Sequence, residues 1–214
     1  LNGQQYVDFI NESISNSNAL LDQNFQVPSY IENTGVNTNW QDQVFRPAPV
    51  SNINFSMSGG SEKTKFFFSL GYFTQEGTIR NQAYNRINSR INIDHQATKR
   101  LKIGNSLTLS FSNNPLASAL VFNPNFPVFN DDGSYFQDPE REIGNPVQLA
   151  EEITFNSRQK RILGNVYAEY NIMEGLNFKT TLGIDYLNDR QQRFVPNTII
   201  GFQDGAEASG ANFE

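Results

Sequence analysis

Arg86-Ile87-Asn88-Ser89-Arg90-Ile91-Asn92-Ile93-Asp94 is the run whose reading decides the fold. From Ile87 onward every odd position is Ile or Ser, and every even position is Asn, Arg or Asp. A period of two belongs to a β-strand. It places Ile87, Ile91 and Ile93 on one face, with Asn88, Arg90, Asn92 and Asp94 on the other. The same pattern recurs on both sides. Upstream, Ile53, Phe55 and Met57 oppose Asn52, Asn54, Ser56 and Ser58, and Phe66, Phe68, Leu70 and Tyr72 follow on a second run. Downstream, Leu101, Ile103, Leu107, Leu109 and Phe111 oppose Lys102, Gly104, Ser106, Thr108 and Ser110. Two more runs place Ile162, Val166, Ala168 and Tyr170 opposite Tyr167 and Glu169, and Leu176, Phe178, Leu182, Ile184 and Tyr186 opposite Lys179 and Asp185. Strands are therefore predicted near 50–58, 65–74, 86–95, 101–112, 160–172 and 176–187. The inward side of 65–74 is less polar than its neighbours, because Phe67 and Phe73 fall on it.

The connections alternate in length. Gly59–Thr64, Gln96–Arg100 and Met173–Gly175 are short, and the glycines of the first are expected to supply turn backbone angles. Segments 75–85 and 114–157 are long, and the second carries Pro115, Pro124, Pro127, Pro139 and Pro146. A structureless stretch of that length argues against a compact soluble domain. Short turns on one side and long loops on the other are the rhythm of an outer-membrane barrel. The runs approach the roughly 9–11 residues that cross a bilayer at a tilt, where ordinary strands have about 5–6. Aromatics Phe66, Tyr72, Phe111, Tyr170, Phe178 and Tyr186 sit toward the ends of the apolar faces, as interfacial girdles do. The fold class expected is all-β: an antiparallel transmembrane β-barrel segment of about six strands with long extracellular loops. Residues 50–214 form the wall segment, with a polar, irregular tail from Asn188 carrying Gly201, Gly205 and Gly210.

Residues 1–49 read differently. Tyr6, Phe9, Ile10, Ile14 and Leu21 recur at mostly helical spacing, which predicts a short amphipathic helix over Gln5–Leu21. Pro28, Gly35, Pro47 and Pro49 then punctuate an extracellular loop. Six strands are fewer than the eight or so of the smallest membrane barrels, and an open edge in lipid leaves backbone groups unpaired. The chain is expected to be part of a longer polypeptide.

Composition excludes several classes. A net charge of −6 leaves no basic footprint for nucleic acid, and the absence of Cys excludes disulfide scaffolds and zinc–thiolate sites. No apolar run reaches the roughly 18 residues of a membrane helix. No catalytic constellation or cofactor motif is present. His95 reads as a strand-end contact. Asp131-Asp132-Gly133 is part of a calcium-loop pattern with the remaining ligand positions unfilled, so it reads as a turn. Asp138, Glu140, Glu142, Glu151 and Glu152 read as an acidic loop.

Residues Asn39-Trp40-Gln41-Asp42-Gln43-Val44-Phe45-Arg46-Pro47-Ala48-Pro49, then Ser56-Met57-Ser58-Gly59-Gly60-Ser61-Glu62-Lys63-Thr64 and Leu70-Gly71-Tyr72-Phe73-Thr74-Gln75-Glu76-Gly77, carry a family resemblance. Asn92-Ile93-Asp94-His95, Arg100–Gly104, Arg161–Asn165 and Gly175-Leu176 extend it over roughly residues 1–187. Together they resemble the SusC/RagA-type TonB-dependent outer-membrane transporters. Asn39 stands where Asp is common in the family and Pro47 where Thr is. The resemblance implies a large plugged barrel in the outer membrane of a Gram-negative bacterium. It also implies gating by TonB, a SusD-like surface lipoprotein as partner, and oligosaccharides or peptides as substrates. The same wall physics would serve a passive porin or an adhesin. A soluble all-β carbohydrate-binding module is a third reading.

Three residue sets follow as expectations. Asn88, Arg90, Asn92, Asp94, Lys102, Glu169, Lys179 and Asp185 face a lumen. Arg158, Lys160 and Arg161 contact lipopolysaccharide at the outer rim, since Arg and Lys suit phosphate; a solvated rim is the alternative. Trp40, Tyr135 and Phe136 offer external aromatic faces to substrate or lipoprotein; packing within the loops is the alternative.

Overall fold

The computed structural model describes residues 1–21, 24–26, 34–117, 122–138, 140 and 142–200. Pro28, Pro139, Gly201, Gly205 and Gly210 lie outside the described residues. Six strands, β1 (Val50–Gly60), β2 (Thr64–Glu76), β3 (Ala83–Gln96), β4 (Leu101–Leu116), β5 (Thr154–Met173) and β6 (Leu176–Phe194), form one sheet in sequence order. Every neighbouring pair is antiparallel. The meander follows from the short turns, which can join only antiparallel neighbours.

Register fixes the faces. Ile53 pairs with Tyr72, Tyr72 with Ile87, and Ile87 with Phe111. Leu109 pairs with Ile162, and Ile162 with Tyr186. The row through Phe111 meets Lys160 on β5, while the row Met57, Phe68, Ile91, Leu107, Gly164 and Ile184 carries the apolar face across all six strands. The apolar rows are also uncovered: Ile53, Phe55, Val166, Phe178, Leu182 and Ile184 are each more than half exposed. The buried apolar residues, Trp40, Val44, Phe122, Phe126, Val147, Leu149, Ala150, Ile153 and Ile199, all lie outside the strands. A sheet with an extended apolar face and no core against it fits hydrocarbon, not water.

The strands outrun their alternating portions. β5 has 20 residues and β6 has 19, against 11 in β1. The added length is polar apart from Phe155 and Phe194: Thr154–Lys160 on β5 is paired with Asn188–Phe194 on β6. The tail from Asn188 is thus not irregular at first. Ladder bonds to β5 carry it as strand through Phe194, which period-two hydrophobicity does not reveal.

The first turn works differently from expectation. Gly59 and Gly60 belong to β1, and the described glycines with positive φ are Gly35, Gly133 and Gly175. A Cβ on Gly60 would stand 2.2 Å from the Thr64 carbonyl oxygen, so glycine is there for close approach. Ser61 closes the turn, its hydroxyl accepting from the Lys63 and Thr64 amides. Gly175, at φ 79°, is the turn that uses left-handed backbone.

At the long-loop end, α2 (Trp40–Val44) and α3 (Pro146–Glu152) flank a small core, and α1 (Gly3–Leu21) is joined to this end through Gly3, whose carbonyl accepts from Asn125. The α1 start is a reciprocal cap: Asn2 Oδ1 accepts from the Gln5 amide at 2.8 Å, and Gln5 Oε1 from the Asn2 amide at 3.0 Å. Trp40 meets Phe122 edge-on at 5.2 Å and donates its indole N–H to the Asn123 carbonyl. Arg46 pairs with Glu76 at 2.9 Å and ties the segment after α2 to the end of β2.

Asn145 holds this core together. Fully buried, it caps α3 by accepting from the Val147 and Gln148 amides, and its Nδ2 donates to the Val128 and Phe136 carbonyls. Asn145→Ala is expected to cost about 2–4 kcal/mol locally, from the lost cap and two orphaned carbonyls. Hydrogen exchange should show α3 and residues 122–137 opening earlier while the β2–β5 strand amides keep their protection.

The polar face and the loop cleft as candidate functional site

The residues predicted to share one polar face do so. Asn88, Arg90, Asn92 and Asp94 lie opposite Gly71, Ser69, Phe67 and Lys65 on β2, and opposite Ser110, Thr108, Ser106 and Gly104 on β4. Lys102 faces Glu169, which in turn faces Lys179. Asp185 faces Leu163. Two local networks organise this face.

The first centres on Tyr167. Its hydroxyl donates to Asp94 Oδ1. Lys102 Nζ stands 3.8 Å from Asp94 Oδ2, and the Lys102 and Lys179 ammonium groups lie 5.7 and 4.6 Å from the Tyr167 ring centroid. Gly104 makes this possible. It is the cross-strand partner of Tyr167, and a Cβ there would stand 2.5 Å from the ring. A Gly–aromatic cross-strand pair is a known device for packing a strand glycine. Sequence reading placed Tyr167 on this face but not its role; Gly104 within an otherwise regular strand was the available signal.

The second accounts for Phe73. Its ring lies 5.9 Å from that of Tyr84, and the Arg86 guanidinium sits 5.8 Å from its centroid. The apolar inward residue is thus part of a small aromatic–cation cluster. Among the described residues Phe67 makes no comparable ring contact.

The basic trio does not stay together. Arg161 is on the polar face, where its Nε and Nη2 bind both oxygens of Asp185 at 3.1 and 2.8 Å. Arg158 and Lys160 are on the apolar face, opposite Asn113 and Phe111. The reason is parity: Arg161 stands next to Ile162, and neighbours in a strand point to opposite faces. The expectation that all three form one patch is therefore corrected.

The external aromatics divide as well. Trp40 is 5% exposed and inside the loop core. Phe136 packs against Phe126 at 4.8 Å and Phe122 at 6.4 Å. Trp40 is thereby closed to a ligand, whereas Phe136 is only partly buried and keeps an edge on the cleft that Tyr135 borders. Tyr135 stacks at 5.1 Å on Phe129 and donates to Glu151 at 2.6 Å. Burial, then the Glu151 hydrogen bond and charge, push its phenol up to about 12. It borders an open cleft of about 720 Å³ with Gln137, Gln148, Glu152 and Thr198. Asp132 is a turn residue: Ser134 donates to it from both hydroxyl and amide, holding the carboxyl below its ordinary range. His95 bonds Thr64 at 2.8 Å, and no cluster of metal-ligating side chains occurs among the described residues.

No protein-family model matches the chain. Curated relatives do. TonB-dependent receptor P3 of Formosa agariphila is 32% identical over 191 residues, covering 81% of this chain. TonB-dependent receptor P39 of the same organism is 30% identical over 77% of the chain. TonB-dependent receptor SusC of Bacteroides thetaiotaomicron is 24% identical over 77%. Among solved structures, the RagAB peptide importer in its open-open state superposes with a TM-score of 0.61 at 25% identity, over 86% of the chain and 22% of its own. The RagAB peptide transporter gives 0.60 at 24% identity, over 74% and 20%. The chain belongs to the SusC/RagA-type TonB-dependent receptors. It spans 19% of the length of receptor P3 and 20% of SusC. Within this SusC/RagA-type segment the two-faced sheet is barrel wall, and these relatives are named receptors and transporters rather than enzymes.

The two aromatic classes predict different behaviour. Trp40→Ala should cost the loop core about 3–5 kcal/mol, as large buried aromatics do. Tyr135→Ala should cost less, about 1–2 kcal/mol, from one hydrogen bond and the ring contact with Phe129. Hydrogen exchange at Val147–Ala150 distinguishes them: only the Trp40 variant should accelerate it.

Proposed function

We propose that this segment is wall and outer-loop structure of a TonB-dependent importer in the outer membrane of a Gram-negative bacterium. The single observation that carries the reading is the apolar face, continuous over six strands and uncovered, set against a charged face joined by cross-strand pairs. The apolar rows turn to lipid. The polar face turns to a plugged lumen, where Arg90, Asp94, Lys102, Glu169, Lys179 and Asp185 remain hydrated instead of paying the cost of a dry interior. The long-loop end, with its cleft beside Tyr135, is extracellular, and the three short turns are periplasmic.

The segment makes no bond and breaks none; its role is to enclose and position. Substrates are oligosaccharides or peptides. The peptide option is supported by the likeness to the RagAB peptide importer, and the oligosaccharide option by the family resemblance to SusC. A SusD-like surface lipoprotein lids the barrel, and TonB opens the plug.

Expressed as the full-length natural chain, the protein should fractionate with the outer membrane as a heat-modifiable barrel. Its uptake of labelled oligosaccharide or peptide should vanish when TonB is deleted. Uptake that persists without TonB would favour a passive porin. A detergent-free soluble monomer would sink the barrel reading itself.

A further inference from the structure

The charge of the chain is not spread evenly. Segment 122–153 holds seven acids and one base, Arg141, so it alone carries the net charge of −6, and the rest of the sequence is balanced. A field of one sign beside a cleft raises the local concentration of ligands of the other sign. The cleft beside Tyr135 is formed mainly by this segment, with Thr198 and Ile200 completing its lining.

The hydrogen bonds of the cleft wall are one-sided. Each side-chain amide and hydroxyl of the wall already donates within the protein. Asn130 Nδ2 donates to Ser134 Oγ and the Tyr135 carbonyl, and the Ser134 hydroxyl donates to Asp132. Gln137 Nε2 donates to the Thr198 carbonyl, and Gln148 Nε2 to Glu152 Oε2 and Thr198 Oγ1. The Tyr135 hydroxyl donates to Glu151, and that of Thr198 to Glu152 Oε2. What remains is oxygen. Among the described residues Glu152 Oε1 and Asn130 Oδ1 accept no hydrogen bond, and neither Glu151 nor Glu152 has an ion-pair partner. Gln148, 3% exposed, also lines the cleft, and its Oε1 is buried without a donor.

A wall with open acceptors and spent donors selects its ligand class. A sugar hydroxyl both donates and accepts, and a carboxylate only accepts. An ammonium has three donors, no acceptor and the complementary charge. The Tyr135 ring adds a face that attracts a cation. In an amino sugar the neighbouring hydroxyls would ask the same wall for donors. The methylene stem of a lysine asks for none, and Phe136 and Ile200 give it apolar lining. We propose that the cleft seats the ammonium group of a lysine side chain in a peptide substrate, against Glu152, Gln148 and the Tyr135 ring. This rests on the import reading above and narrows its substrates to cationic peptides.

The test uses the full-length natural chain purified in detergent. It is titrated with a short N-acetylated peptide containing one lysine, with the same peptide acetylated on that lysine, with a glucosamine oligomer and with a neutral oligosaccharide. Acetylating the lysine should weaken binding roughly tenfold or more, and Glu152→Gln should do the same, as loss of a charge-assisted hydrogen bond does. Both losses should shrink as salt is raised. Glu62→Gln, in a short turn at the opposite end, should leave affinity unchanged. Equal affinity for the two peptides overturns the proposal, and that comparison on the parent chain decides even where the variant loosens α3. Unchanged affinity in a Glu152→Gln chain that keeps its hydrogen-exchange protection at Val147–Ala150 overturns it as well. Tighter binding of either saccharide than of the lysine peptide overturns the peptide assignment. Uptake of the labelled peptide is read in parallel: uptake that persists without TonB overturns the import reading, whereas TonB-dependent uptake with equal affinity for the two peptides overturns only the cleft.

Discussion

A backbone amide inside a hydrocarbon layer has no water to bond, so each must find its partner in the next strand. That constraint arranges most of this molecule. It requires long, unbroken ladders, and β2 to β5 supply them with complete antiparallel pairing. It forces the period of two, because one face of each strand meets lipid and the other does not. It also removes the usual reason for a core. The strands contain none of the fully buried apolar side chains, and the sheet is held by hydrogen bonds and by side-chain pairs along each face.

The loop end obeys ordinary aqueous rules. Trp40, Val44, Phe122, Phe126 and Val147 form a small conventional core, with Asn145 satisfying four backbone groups at its centre. The chain is therefore stabilised by two different solvents. Ion pairs such as Arg161–Asp185, whose side chains are about half exposed, are screened by solvent and serve positioning more than stability.

Much of the sheet was legible in the sequence because period two is a direct imprint of its two faces. Ile87, Ile91 and Ile93 declare the lipid side with no structural knowledge. Parity would also have separated Arg161 from Arg158 and Lys160; grouping them by sequence proximity ignored the pleat. The outer halves of β5 and β6 were not legible, since polar residues on both faces leave no alternation to read. Nor was the loop core, which depends on Trp40 meeting Phe122 and Asn123 across more than eighty residues. Gly60 misled for a physical reason: glycine signals either unusual backbone angles or close approach, and only coordinates tell which.

Strand lengths rise along the chain, from 11 residues in β1 to 20 in β5. Followed through cross-strand partners, Gly60 of β1 stands level with Tyr167 of β5, and Ser51 with Arg158. The surplus of β5 is therefore divided, with the larger share beyond β1 at the short-turn end and the smaller share at the long-loop end. Each step across the sheet slides the strand ends along their axis, and that cumulative stagger is what lets tilted strands curl round toward closure.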